Sequence, residues 1–138
     1  MTDQPILLDT CAVIWLQAGS VFNPASESAL KKAQEVGTPV LVSAITAWEI
    51  GLLVSKGRLI LSIPPLRWFE QVLDLGVDLA PLTADILIAS SQLPGPLLRD
   101  PADRIIAATA RGFNYRLMTR DRPLLNFAAS GQMSAIPC

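Results

Sequence analysis

The chain has no histidine, and only two of its 138 residues are cysteine. The lack of histidine removes Ser-His-Asp and Cys-His catalysis and leaves carboxylates as the natural acid–base or metal-binding groups. Cys11 and Cys138 stand near opposite ends of the chain and form no metal-spaced pair. A zinc site of Cys and His and a disulfide framework are therefore set aside. Charge is scarce too, at 17% of residues against 51% hydrophobic, which excludes a disordered chain. A length of 138 residues suits one domain, residues 1–138, with a real core. No Lys or Arg precedes Lys31, so the basic start of a signal peptide is missing and a cytoplasmic location is expected. Mean hydropathy is +0.41, yet the longest nearly uncharged stretch, residues 36–55, contains Glu49, Pro39, two Thr and two Ser. A core strand followed by a core helix explains it better than a membrane span.

A net charge of −1 does not advertise a nucleic-acid partner. Six of the eight arginines nevertheless fall from Arg99 to Arg122, among Asp100, Asp103 and Asp121. On charge alone that cluster reads as a solvated surface.

What is present is a regular alternation of apolar runs and helix punctuation. PILLD (5–9) reads as a short buried strand, and residues 11–18 as a helical turn or two. NPASESALKKAQEVG has Asn23 as cap, Pro24 at the first helical position and Gly37 just past the end. PVLVS (39–43) predicts a second strand, after which Ser43 caps a helix. Pro65 opens another helix through Leu75, stopped by Gly76. VDLAPL (77–82) reads as a strand, and Thr83 as the cap of a helix from residue 84 to about 91. In DPADRIIAATARG, Asp100 is the expected cap, Pro101 the first helical residue and Gly112 the terminator. RLMT (116–119) predicts a strand, with a last short one at residues 134–136. Apolar strands alternating with helices imply a parallel sheet covered on both faces, and right-handed crossovers make it a three-layer α/β/α domain.

AITAWEIGLL (44–53) places Glu49 among Ile45, Leu52 and Leu53 on one helical face. An unpaired buried charge is costly, so a compensating group is required. Other acids fall where that group would sit. In a parallel sheet, sites lie beyond the carboxyl ends of the strands. Asp9 directly follows Ile6-Leu7-Leu8, and Asp121 follows residues 116–119 with one residue between. Asp103 lies in the first turn of its helix and faces inward with Ile106, Ala107 and Ala110. Each acid has a bland alternative. Asp9 could form a turn, Asp103 could serve the helix N-terminus, Asp121 could start a turn before Pro123, and Glu49 could pair with Arg104 or Lys56. Convergence of four acids on one edge is what those alternatives leave unexplained, since Asp74, Asp78 and Asp85 follow no such pattern. Crowded carboxylates either hold protons or neutralise a cation, and an oxygen-only ligand set selects Mg²⁺ or Mn²⁺. Such a site can activate water for attack on a phosphodiester.

LLDT (7–10), VSAITAWEIGLLVSKGRL (42–59), PLT (81–83), DPADRIIAATA (100–110) and MTRD (118–121) resemble PIN-domain ribonucleases, above all toxins of the VapC type. Nearly the whole chain takes part, with the motifs in the family's order. The resemblance implies a five-stranded parallel sheet and a metal-dependent endoribonuclease whose acids map onto Asp9, Glu49, Asp103 and Asp121. It implies a homodimer and a small antitoxin partner whose tail blocks the site. Thr10 and Thr119 resemble the hydroxyls that orient the carboxylates. Arg99, Arg104 and Arg120 become candidates for RNA phosphate contacts, each with a plain surface charge as its alternative. Leu98 departs from the pattern, because relatives often carry a His just ahead of the R-D-P segment. The rival expectations are a PIN-like binding module without turnover that acts through a partner, and another metal-dependent phosphoryl hydrolase. A DNA substrate stays open, since no reader of the 2′-OH is visible.

Overall fold

Five strands of three or four residues form the centre of the computed structural model, which describes residues 4–20, 22–96 and 98–138. In chain order the elements are β1 (Ile6–Leu8), α1 (Thr10–Ala18), α2 (Pro24–Val36), β2 (Val40–Ser43), α3 (Ala44–Ser55) and α4 (Pro65–Asp74). They continue with β3 (Asp78–Ala80), α5 (Ala84–Ala89), α6 (Pro101–Phe113), β4 (Arg116–Thr119), α7 (Arg122–Ala129) and β5 (Ser134–Pro137). The strands lie in the order β3-β2-β1-β4-β5, and every neighbouring pair is parallel. This is the three-layer architecture that the alternation of elements predicts.

The period of two along a strand sorts its side chains between two cores. Ile6, Leu8, Val42 and Met118 pack with Val13, Ile50, Phe69 and Val72 from α1, α3 and α4. Leu7, Leu41 and Leu117 pack on the opposite face with Ile106, Ala107 and Ala110 of α6 and Leu124 and Phe127 of α7. All three residues of β1 are fully buried, so the central strand is apolar throughout rather than alternating. Each such side chain contributes about 1.5–3 kcal/mol relative to exposure. The pairing Leu8↔Met118 then fixes which residues leave the sheet together at its carboxyl edge.

Most predicted helix ends hold. The Asn23 side chain accepts the Ser26 amide at 2.9 Å, that of Ser43 accepts the Ile45 amide at 3.1 Å, and that of Asp100 accepts the Ala102 amide at 2.8 Å. Three ends differ. Helix α7 was not expected, because Pro123 reads as a turn residue yet occupies the first helical turn, where its missing N–H costs nothing. Gly112 does not end α6; Asn114 does, in the left-handed conformation at φ 59°. A Cβ on Gly112 would stand 2.7 Å from Ile86 Cδ1, so that glycine serves the close approach of α5 to α6. Thr83 occupies the start of α5 but makes no capping hydrogen bond. Strand β3 stops at Ala80, before Pro81, which has no N–H for a ladder.

Candidate active site

Four acids from four segments line one open cleft of about 480 Å³ at the carboxyl edge of the sheet. Asp9 leaves β1 and caps α1, accepting the Thr10 amide at 2.8 Å. Glu49 comes from α3, which begins directly after β2. Asp103 lies in the first turn of α6. Asp121 caps α7, accepting the Leu124 amide at 3.2 Å. Thr10, Cys11, Ile14, Leu53, Asp100, Arg120 and Arg122 complete the lining.

Two threonines join these acids. The Thr119 hydroxyl donates to Asp9 Oδ2 at 2.6 Å, and its oxygen accepts the Asp121 amide at 3.0 Å. One side chain thus ties both strand-end acids to the last residue of β4. The Thr10 hydroxyl donates to Glu49 Oε1 at 2.5 Å and lies 3.0 Å from the Thr46 hydroxyl, which can donate to it in turn. Thr10, Thr46 and Thr119 are all buried, so these bonds form where water competes poorly. Glu49 therefore meets a hydroxyl, while Arg104, a candidate ion-pair partner, turns its Nε to the Leu98 carbonyl.

The cleft disfavours negative charge. Burial raises the pKa of Asp9, opposed by the hydrogen bonds from Thr119 and Thr10. Burial also raises that of Glu49, opposed by Thr10 and assisted by Asp9, Asp100 and Asp121. Asp103 is pushed up to about 8, first by burial and then by the charges of Asp121, Asp100, Asp9 and Glu49. Five carboxylates face only two guanidiniums, those of Arg120 and Arg122. A divalent cation relieves that imbalance directly. Among the described residues no three His, Cys, Asp or Glu side chains form a ready-made metal cage. A Mg²⁺-like ion that keeps several waters needs only one or two direct carboxylates, and the looser arrangement fits it.

The predicted arginines separate. Arg120 lines the cleft, with its guanidinium 3.1 Å over the Trp15 ring and its Nε donating to the Cys138 carbonyl at 3.2 Å. Arg104 faces a different depression, beside Ser90, Pro96 and Leu98. Arg99 is exposed and is not part of the cleft lining. Leu98 itself is 4% exposed and packed in the core with Ile106 and Ala107. A polar contact to substrate is therefore not what this position supplies.

Sequence reasoning missed Arg122 and gave Asp100 only its capping role, although both line the cleft. The signal for Arg122 was its place right after Asp121, at the start of a helix that went unread. Cys11 was also missed as a neighbour of Asp9; its S–H points to Asp9 Oδ2 at 3.5 Å. The Cys138 thiol is held below the ordinary thiol range by the Cys11 thiol and Arg120. That of Cys11 is pushed up, chiefly by Cys138 and by burial.

The PIN domain family model matches residues 6–129. The chain belongs to the PIN-domain family. This PIN domain is 33% identical over 120 residues to ribonuclease VapC22 of Mycobacterium tuberculosis, covering 86% of the chain and 88% of that relative. Its fold is also similar to that in the crystal structure of VapBC2 from Rickettsia felis bound to a promoter DNA fragment. The TM-score is 0.67 at 16% identity, over 96% of this chain and 98% of that one. A toxin–antitoxin complex from Klebsiella pneumoniae matches with a TM-score of 0.59 at 22% identity, covering 95% of each chain. PIN-domain nucleases of the VapC kind work with a bound metal.

Proposed function

We propose that this PIN domain is a divalent-metal-dependent endoribonuclease, the toxin of a toxin–antitoxin pair, acting as one domain over residues 1–138. The observation that carries the reading is the cleft in which Asp9, Glu49, Asp103 and Asp121 converge and Asp103 is pushed up to about 8. Such a site rests at lower free energy with Mg²⁺ or Mn²⁺ than without. Asp9 and Asp103 are the primary ligands, and Glu49 and Asp121 are further ligands or hold the attacking water. When bound, the cation supplies Lewis-acid polarisation of the phosphate and a more acidic water. Thr119 fixes the Asp9 carboxylate, and Thr10 does the same for Glu49. A carboxylate held in one rotamer meets the cation at little entropic cost. Arg120 and Arg122 give the RNA backbone its positive contacts at the rim.

Ribonuclease VapC22 supports RNA as the substrate, and the Klebsiella complex supports an antitoxin as the partner. A homodimer and a cytoplasmic setting belong to the same reading. Among the described residues no helix is long and apolar enough to cross a membrane.

The test is incubation of purified protein with total RNA in Mn²⁺ or in EDTA, followed by mapping of new ends. Cleavage should need the metal and vanish in Asp9→Asn and Asp103→Asn, which keep side-chain shape but lose charge. Near wild-type cleavage by either variant overturns the site assignment. Hydrolysis of p-nitrophenyl phosphate without RNA cleavage overturns the substrate class.

A further inference from the structure

The only two cysteines of the sequence, near opposite ends of the chain, meet the same corner of the fold: Cys11 lines the acid cleft, and the Cys138 backbone is bonded to Thr119 and to the cleft residue Arg120. Cys11 stands in the first turn of α1, two residues beyond Asp9, and its S–H reaches Asp9 Oδ2. Cys138 follows β5, where its amide donates to the Thr119 carbonyl at 3.0 Å. Arg120 holds the Cys138 carbonyl from the other side. Each thiol has the other as a side-chain neighbour, which pushes the Cys11 pKa up and holds that of Cys138 down. Both residues are half-buried, so a small oxidant can reach them.

We infer that Cys11 and Cys138 form a reversible dithiol–disulfide site that closes one side of the acid cleft when oxidised. The oxidant class is a hydroperoxide. The Cys138 sulfur, beside the Arg120 charge, attacks one peroxide oxygen; the O–O bond breaks, giving a sulfenic acid and one molecule of water or alcohol. The Cys11 sulfur then attacks the sulfenyl sulfur, the S–S bond forms, and the hydroxyl leaves as water with the Cys11 proton. Two electrons pass from the two thiols to the peroxide, and an external dithiol reverses the change. The crosslink removes the S–H that Asp9 accepts and ties residue 138 across the cleft beside that carboxylate. The effect on nuclease chemistry rests on the function proposed above, but formation of the bond does not.

The experiment treats reduced protein with hydrogen peroxide and maps its peptides without reduction. The expected product is a Cys11–Cys138 crosslinked peptide within one molecule, lighter than the sum of its parts by two hydrogens. The oxidised protein should show a smaller Mn²⁺-induced rise in Tm and about tenfold less RNA cleavage, the size usual for losing a group that orients a metal ligand. Dithiothreitol should restore both. Cys138→Ser should keep the reduced protein's Mn²⁺ response and lose its sensitivity to peroxide. Recovery of only over-oxidised thiols, or of only intermolecular crosslinks, overturns the inference. A correct crosslink with an unchanged Mn²⁺ response overturns the closure. If reduced protein cuts no RNA, the nuclease reading falls while peptide mapping and the Tm measurement still decide the redox site.

Discussion

Thr10 donates its hydroxyl proton to Glu49 at 2.5 Å, joining the first turn of α1 to the middle of α3. That contact is the main force holding down the pKa of Glu49 against burial. Replacing Thr10 with Val keeps the volume and removes the hydroxyl. The Glu49 pKa should rise further, and Mn²⁺ affinity should fall by about 10–100-fold. Calorimetric titration with Mn²⁺ checks this; unchanged affinity would show that Thr10 orients nothing of consequence.

Glu49→Gln separates a crowded metal site from a structural ion pair. Gln fills the same space, and its carbonyl can still accept from Thr10. With repulsion from Asp9, Asp100 and Asp121 removed, the metal-free variant should be unchanged or more stable by about 0–2 kcal/mol. A lost buried pair with Arg104 or Lys56 would instead cost roughly 3–5 kcal/mol with or without metal. Thermal melts in EDTA and in Mn²⁺ distinguish the two, and the variant should gain less from the ion.

Stability should also depend on pH in a direction set by Asp103. Its folded pKa of about 8 lies above the ordinary 3.8, so between these values the native protein binds more proton than the unfolded chain. Asp103's contribution is therefore fully present below the ordinary value and is lost as pH rises through about 8. In EDTA, the Tm difference between Asp103→Asn and wild type should shift in the variant's favour as pH rises through this window. Mn²⁺ should shrink that trend. A difference that stays flat with pH would mean that Asp103 is not forced to hold a proton.

The arginines should differ in kind. Arg120→Ala should weaken RNA binding and lower the salt slope by roughly one unit. Arg104→Ala should leave that slope alone and cost about 1–3 kcal/mol, because the Leu98 carbonyl loses its partner near the core. Fluorescence anisotropy over a salt series, with melts of both variants, reads the two effects separately. A reduced slope in Arg104→Ala would put that side chain back on the RNA.

Strands and caps were legible in the sequence because their causes are local. Ile6–Leu8 and Val40–Ser43 are short apolar runs, and Asn23-Pro24 and Asp100-Pro101 carry their own capping chemistry. Convergence of Asp9, Glu49, Asp103 and Asp121 was legible because parallel topology sends strand ends to one edge. What escaped depends on contacts between distant segments. Nothing near Gly112 announces Ile86. The meeting of Cys11 with Cys138 is of the same kind, since it requires β5 to dock beside β4.

Thr119, with Asp9 on its proton and the Asp121 amide on its oxygen, makes the cleft a report on completed folding. A nascent chain that has released Asp9 and Glu49 still lacks Thr119, Asp103 and Asp121, and no shorter stretch supplies substitutes. An interrupted translation product that stops before β4 therefore carries Asp9, Glu49 and Asp103 but neither Asp121 nor the Thr119 hydroxyl that aligns Asp9. Toxicity, on the function proposed, arrives all at once, when β4 zips beside β1 and Leu8 finds Met118.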